Sequence, residues 1–126
     1  MGVAFTEREL DVMAVLWKLG SATVSEVRFE LRDNLAYTTV LTILRILEEK
    51  GYVAHEEEGR AHRFVPLVKQ KEAGSDGLKR LLSTIFGGSP ELLLTQLVAD
   101  ENFTPDQIAR MRALLDDAKV KRGKRR

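Results

Sequence analysis

Residues 34–67 read NLAYTTVLTILRILEEKGYVAHEEEGRAHRFVPL, and this segment is the most informative part of the chain about its fold. Its first half repeats apolar residues at every third or fourth position, which is typical of an amphipathic helix. The apolar face consists of Tyr37, Val40, Leu41, Leu44 and Leu47. The opposite face carries hydroxyl and charged side chains, namely Thr38, Thr42, Arg45 and Glu49, with Thr39 beside them. We therefore predict a helix from about Ala36 to Lys50 that packs by one face and exposes the other.

A β-hairpin is predicted directly after this helix. The period changes at Gly51, and two short β-like runs, 52–56 and 62–66, flank a turn at 57–59. Arg60, His62 and Arg63 follow that turn on the returning strand. Threonine can approach base edges and phosphates closely, and arginine suits phosphate geometry. The helix and hairpin together favour a DNA-reading element.

Two shorter helices are predicted before the recognition segment, each begun by a capping box. Thr6 and Glu9 begin the first, which Gly20 ends, and Thr23 and Glu26 begin the second, which extends to Arg32. The residues expected to face inward are Leu10, Met13, Ala14, Trp17, Val24, Val27 and Leu31. Three helices followed by a two-stranded wing is the order of a winged helix-turn-helix, in which the third helix is the recognition helix.

The chain after Pro66 is predicted to be a helical arm, so the fold class is mainly α. Leucines indicate a fourth helix whose start is interrupted at 74–77, and Ser89-Pro90 and Thr104-Pro105 begin two more. An arm this small cannot bury its leucines alone, which predicts a homodimer. The predicted dimerisation residues are Leu81, Leu82, Ile85, Leu93, Leu94, Leu97, Ile108, Met111 and Leu115. The predicted domains are 1–67 for DNA binding, 68–118 for dimerisation and 119–126 as a basic, disordered tail.

Composition excludes several classes of protein. The 126 residues fit one domain, or one domain with an appendage. The absence of cysteine excludes disulfides and thiolate metal sites and suits a reducing cytoplasm. Neither a membrane span nor a secretory signal is recognisable, so we predict a cytoplasmic protein. No catalytic or dinucleotide motif is present either, so neither enzymatic activity nor a cofactor is expected.

The two histidines and the charge balance leave alternatives open. His55 and His62 lie near the acidic run Glu56–Glu58, but histidines on an exposed hairpin are more often solvated or phosphate-facing than metal-bound, so no metal is predicted. Residues 1–67 carry eight Lys/Arg against eleven Asp/Glu, whereas residues 68–126 carry twelve against eight. An acidic N-terminal half disfavours a non-specific nucleic-acid coat but allows a specific reader with a few placed cations. The alternative is a winged-helix protein-interaction module that never binds DNA.

Three segments, LAYTTVLTILRILEEKGYV, GRAHRFVP and FGGSPELLLTQLV, closely resemble the penicillinase repressor family (BlaI/MecI/CopY). The likeness extends from Thr6 to about Lys119. It implies a homodimeric winged-helix repressor of bacterial operons that binds a short palindromic operator, with an upstream sensor or protease as a further partner. Carried over by position, the operator contacts implied on the third helix are Thr38, Thr39 and Thr42. The implied backbone contacts are Tyr37, Arg45 and Arg60, with Ser25 as a weaker phosphate candidate.

The chain departs from the family pattern in two places. Copper-responsive members carry paired cysteines at the C-terminus, and this chain has none. Members of the β-lactam branch are cleaved at an Asn-Phe bond inside an arm helix. That position aligns with Gln96-Leu97 here, and the Asn102-Phe103 pair comes six residues later. The resemblance therefore does not imply copper sensing, and it does not establish induction by proteolysis at the family position.

Overall fold

The computed structural model describes residues 3–125, with side chains through residue 118. The elements, in chain order, are α1 (Glu7–Leu19), β1 (Ala22–Thr23), α2 (Val24–Glu30), α3 (Tyr37–Glu49), β2 (Val53–Glu58), β3 (Ala61–Pro66), α4 (Gln70–Thr84), α5 (Pro90–Asp100) and α6 (Pro105–Arg125). The chain divides into two compact units, Met1–Leu81 and Leu82–Arg126. The predicted mainly α fold with a small sheet is confirmed.

Both predicted capping boxes are present and fix where α1 and α2 begin. The Thr6 hydroxyl accepts from the Glu9 backbone N–H at 3.1 Å, and the Glu9 carboxylate accepts from the Thr6 N–H at 2.8 Å. Thr23 and Glu26 repeat the arrangement at 3.2 and 2.9 Å. Gly20 ends α1 with φ 85°, a left-handed conformation that residues with a Cβ adopt rarely. Each of these signals depends on atoms no more than four residues apart in the chain, so the sequence alone is enough to predict it.

A single hydrophobic core fills the first unit. It consists of Val12, Met13, Val15, Leu16, Ala22, Val24, Val27, Val40, Leu44, Leu47, Val53 and Phe64. The predicted core face of α1 is half right, since Met13 is buried and Trp17 packs against the core, but the other two of the four residues expected there are exposed. Leu10 is 46% exposed, Ala14 is exposed and Trp17 is partly buried. Apolar residues surround most of α1, so spacing alone does not show which side meets the core.

A three-stranded antiparallel sheet closes the winged domain, in the order β1-β3-β2. Strand β1 was not predicted, because two residues carry no periodicity and the strand exists only through pairing of Ala22 with Phe64 and Thr23 with Arg63. The predicted turn at 57–59 is corrected as well. Strand β2 continues to Glu58, which pairs with Ala61, so Gly59 and Arg60 form a two-residue turn. Gly59 has φ 61°, as such tight hairpin turns require.

Helix α4 is continuous, and the predicted interruption at 74–77 is wrong. A glycine inside a helix costs about 1 kcal/mol relative to alanine, but contacts within the first unit hold this helix in place. The Asp76 carboxylate accepts from the Val3 N–H at 2.7 Å, and the Trp17 indole N–H donates to the Val68 carbonyl at 2.8 Å. Residues 68–81 thus belong to the first compact unit, whereas the predicted functional boundary lies after residue 67.

The second unit contains the end of α4 together with α5 and α6. Ser89 caps α5 by accepting from the Leu92 N–H at 3.2 Å, and the Gln107 N–H donates to Thr104 at 3.2 Å at the start of α6, as predicted. The backbone of α6 continues to Arg125, although a disordered tail was expected at 119–126. The side chains of that tail lie outside the described residues. Within the described residues, every helix is too short or too polar to cross a bilayer.

Candidate nucleic-acid interface

Helix α3 has one buried face and one exposed polar face. Val40, Leu44 and Leu47 are fully buried in the core. The exposed positions are Thr38, Thr39, Thr42 and Arg45. Tyr37, expected on the apolar face, is instead 43% exposed at the first residue of the helix. The predicted contact residues of α3 are therefore all exposed to solvent, and all except Arg45 lie in its first two turns.

The hydroxyl of Thr42 has a defined orientation. Its Oγ1 donates to the Thr38 carbonyl at 2.8 Å, one helical turn earlier. The hydroxyl hydrogen is therefore used inside the helix, and the oxygen presents its lone pairs and the side-chain methyl outward. Such a group can accept a hydrogen bond from a base amino group or contact a thymine methyl.

The predicted wing residues occupy different environments. Arg60 lies in the two-residue turn and is exposed. His62 is half-buried, and its ring stacks on His55 at 4.4 Å between centroids. His55 in turn hydrogen-bonds Glu48 at 2.6 Å across Nδ1 and Oε2, and its ring lies 5.4 Å from that of Phe64. The His62 ring thus belongs to the packed side of the wing, and its DNA contact stays a prediction.

Arg63 connects three elements. Its guanidinium donates twice to Glu58 at 3.0 Å, to Glu26 at 3.1 Å and to Ser21 at 3.3 Å. The pKa of the Glu58 carboxyl is lowered because Arg63 hydrogen-bonds to it. The pKa of Glu26 is lowered first by the Thr23 backbone N–H and then by Arg63. Strand β3 is thereby tied to β2 and to the start of α2.

The cations of the winged half fall into two groups. Among the described side chains, four of the eight Lys/Arg of residues 1–67 form ion pairs with carboxylates: Arg8, Lys18, Lys50 and Arg63. The other four form none within that part of the chain: Arg28, Arg32, Arg45 and Arg60. Two of these lie on or just after α2, one on α3 and one in the wing turn. The half is acidic overall, but its unpaired cations lie on the helix-turn-helix and the wing.

Ser25 and the predicted dimerisation residues are partly or fully exposed to solvent. Ser25 is exposed on α2, next to the capping residues. In the second unit an apolar groove between α5 and α6 is lined by Leu94, Leu97, Val98, Phe103, Ile108, Met111, Arg112 and Leu115. No side chain described for residues 82–118 is buried. Throughout the described residues, no three His, Asp or Glu side chains are grouped so that they could hold a metal ion.

The fold and this exposed helix define a winged helix-turn-helix protein, the class that presents its third helix to duplex DNA. Residues 5–117 match the family described as penicillinase repressor, and the chain belongs to that family. It shares 24% identity with the penicillinase repressor of Bacillus licheniformis, over 90% of this chain and 91% of that protein. Members of the family are transcriptional repressors, not enzymes.

Two further similarities, one to a relative and one to a solved structure, cover little more than half of the chain. The chain is 40% identical over 67 residues to the transcriptional regulator BlaI of Mycobacterium tuberculosis, covering 51% of this chain and 49% of that protein. The solution structure of the DNA-binding domain of the repressor BlaI superposes with a TM-score of 0.51 at 32% identity. That match covers 57% of this chain and 93% of the other. The predicted family and winged-helix fold are thereby confirmed.

Proposed function

We propose that this protein is a sequence-specific transcriptional repressor that binds a palindromic operator as a homodimer. The observation that carries the proposal is the exposed face of α3, where Thr38, Thr39 and Thr42 are accessible to solvent. The chain also belongs to a family of repressors. Helix α3 enters the major groove, and these threonines contact base edges. Because the target is operon DNA, the protein acts in the bacterial cytoplasm.

The backbone of the duplex is held by residues around this helix. Tyr37 and Arg45 flank the threonines on α3, and Ser25 lies on α2. Arg60 reaches a phosphate beside the flanking minor groove from the tip of the wing. His62 is a weaker candidate, since its stacking on His55 ties the ring to the packed side of the hairpin.

Dimerisation is assigned to the helical arm, residues 68–118, most of which lies in the second unit. Leu97 is 43% exposed, Ile108 38% and Leu115 59%, so an apolar surface is left uncovered in a single chain. Monomeric proteins rarely expose large contiguous apolar patches. Burial of these faces against a second copy would remove that surface from water and place two α3 helices for a two-fold operator.

The inducing partner is an upstream sensor or protease, a proposal that comes from the family resemblance. The position aligned with the family's cleavage site, Gln96-Leu97, lies within α5, and the Gln96 amide donates to Asp100 at 2.7 Å. The Asn102-Phe103 pair lies in the non-helical link between α5 and α6. Extended links are cut more readily than helices, so a protease would find its easier access there.

Salt dependence tests this function against the protein-interaction alternative. Each phosphate contact releases condensed counterions, so the affinity of a repressor for duplex DNA falls steeply between about 50 and 200 mM KCl. Fluorescence anisotropy of a labelled duplex, titrated with the full-length protein, measures that slope. An interaction module would leave the anisotropy unchanged at every salt concentration, and that result would refute the proposal.

A further inference from the structure

The outer side of α2 carries a second surface suited to a polyanion. A shallow groove there is lined by Ser25, Arg28, Phe29, Leu31, Arg32 and Asn34, none of which is acidic. Phe29 is 89% exposed, more than any other large apolar side chain that the structure describes. Two arginines, a hydroxyl and an uncovered aromatic ring therefore share one face, which we call the α2 patch (Ser25, Arg28, Phe29 and Arg32).

Arg28 joins the α2 patch to the end of α3 that carries the threonines. Its Nε donates to the Leu35 carbonyl at 2.8 Å, two residues before α3 begins at Tyr37. This bond uses one donor of the guanidinium and leaves both Nη groups free to donate. The charge of Arg28 is thus held beside the N-terminal end of α3.

Nearby carboxylates do not neutralise the α2 patch, because other cations engage them. Three acidic residues close to the α2 patch in sequence each form an ion pair away from Arg28 and Arg32. These pairs are Asp33 with Arg8, Glu30 with Lys18 at 3.2 Å and Glu26 with Arg63 at 3.1 Å. Within the part of the chain that the structure describes, Arg28 and Arg32 have no carboxylate partner. Their charge is therefore available to an external anion.

We propose that the α2 patch binds the sugar-phosphate backbone of duplex DNA beside the segment that α3 reads. Arg28 and Arg32 donate to phosphate oxygens, and the ring of Phe29 packs on the apolar edge of a deoxyribose. This inference rests on the proposed function, because it extends the same DNA footprint from α3 and the wing to α2. An acidic protein would satisfy the same charges, but the position of Arg28 next to the α3 N-terminal end favours the duplex.

The test uses the full-length protein and a labelled random-sequence duplex of about 30 base pairs, titrated at several KCl concentrations. The double variant Arg28→Gln/Arg32→Gln should lower the slope of log affinity against log salt by about 1.8 for each bound protomer, since each lost phosphate contact contributes about 0.9. Lys18→Gln, an exposed cation already paired with Glu30, is the matched control and should change the slope far less. Phe29→Ser should weaken binding several-fold without changing the slope, because an apolar contact releases no counterions.

The outcomes separate this inference from the proposed function. Arg32 is exposed and forms no hydrogen bond or ion pair among the described residues, so Arg32→Gln alone should keep the fold and must lower the slope by about 0.9. A steep wild-type slope that both arginine variants retain would overturn the α2 contact and leave the repressor function standing. Failure of the wild-type protein to bind any duplex would overturn both.

Discussion

Thr42 offers a sharp test of base reading, because its hydroxyl has a fixed role in the free protein. Its hydrogen is donated to the Thr38 carbonyl, so on DNA the oxygen acts as an acceptor. Thr42→Val keeps the shape and the methyl group but removes that acceptor. One lost hydrogen bond is worth about 1 kcal/mol, and a two-fold complex contains two copies. The expected loss is about 2 kcal/mol, or roughly 30-fold in affinity for the operator.

The chain provides a matched control for this substitution. Thr95 on α5 is also exposed and donates to the Glu91 carbonyl at 2.8 Å, the same bond one turn back along its own helix. Thr95→Val therefore removes an identical intrahelical bond away from the proposed interface, and its affinity should match that of the wild type. Thr42→Ser, which keeps the acceptor and loses the methyl, separates the hydroxyl contact from an apolar contact to thymine.

The assay compares a duplex enriched by the protein from a random library with a scrambled duplex of equal length. Thr42→Val should lose affinity for the enriched duplex and retain it for the scrambled one. Equal losses on the two would show that Thr42 contacts only the backbone. No loss on either would place it outside the interface and refute the assignment of α3.

Three further changes test the wing, the dimer and the core. Arg60→Ala should weaken binding to any duplex and lower the salt slope by about 0.9 per protomer, whereas Arg63→Ala, whose guanidinium is paired internally, should leave the slope unchanged in the same titrations. Leu115→Glu should convert a dimer into a monomer in sedimentation velocity, and a wild-type monomer at micromolar concentration would contradict the assignment of the arm. Burial by itself raises the pKa of Glu9, but hydrogen bonds from Lys50 and Thr6 outweigh it and the net pKa is lowered. The stability that this carboxylate contributes is therefore present above its unfolded pKa and is lost as the pH falls through its folded pKa. Chemical denaturation should show a smaller loss of stability at acidic pH for Glu9→Gln, and unchanged acid sensitivity would refute this role.

Local signals in the sequence predicted much of the winged domain. A capping pair such as Thr23 and Glu26, or a terminal glycine such as Gly20, acts through atoms a few residues apart. The pattern of buried and exposed residues in α3 also depends only on nearby residues, since its buried positions recur at the spacing of one helical turn. These features were read correctly because no distant part of the chain is needed to produce them.

Features that depend on distant residues were missed. Strand β1 exists because Ala22 meets Phe64, more than forty residues away. The mid-helix glycines of α4 indicated a break, but contacts such as that of Asp76 with Val3 hold the helix together. The unpaired state of Arg28 and Arg32 could not be read from the acidic balance of residues 1–67. Charge counts do not show which carboxylates are engaged elsewhere.

Selection of duplexes from a random-sequence library by the full-length protein tests whether two α3 helices read a two-fold operator. We expect enrichment of a two-fold symmetric sequence whose half-sites are separated by about one or two helical turns, as required for two α3 helices in successive major grooves. We also expect that Thr42→Val protein enriches a different or weaker consensus. Recovery of no preferred sequence, or of a single asymmetric site bound by one protomer, would contradict the proposed reading of a two-fold operator.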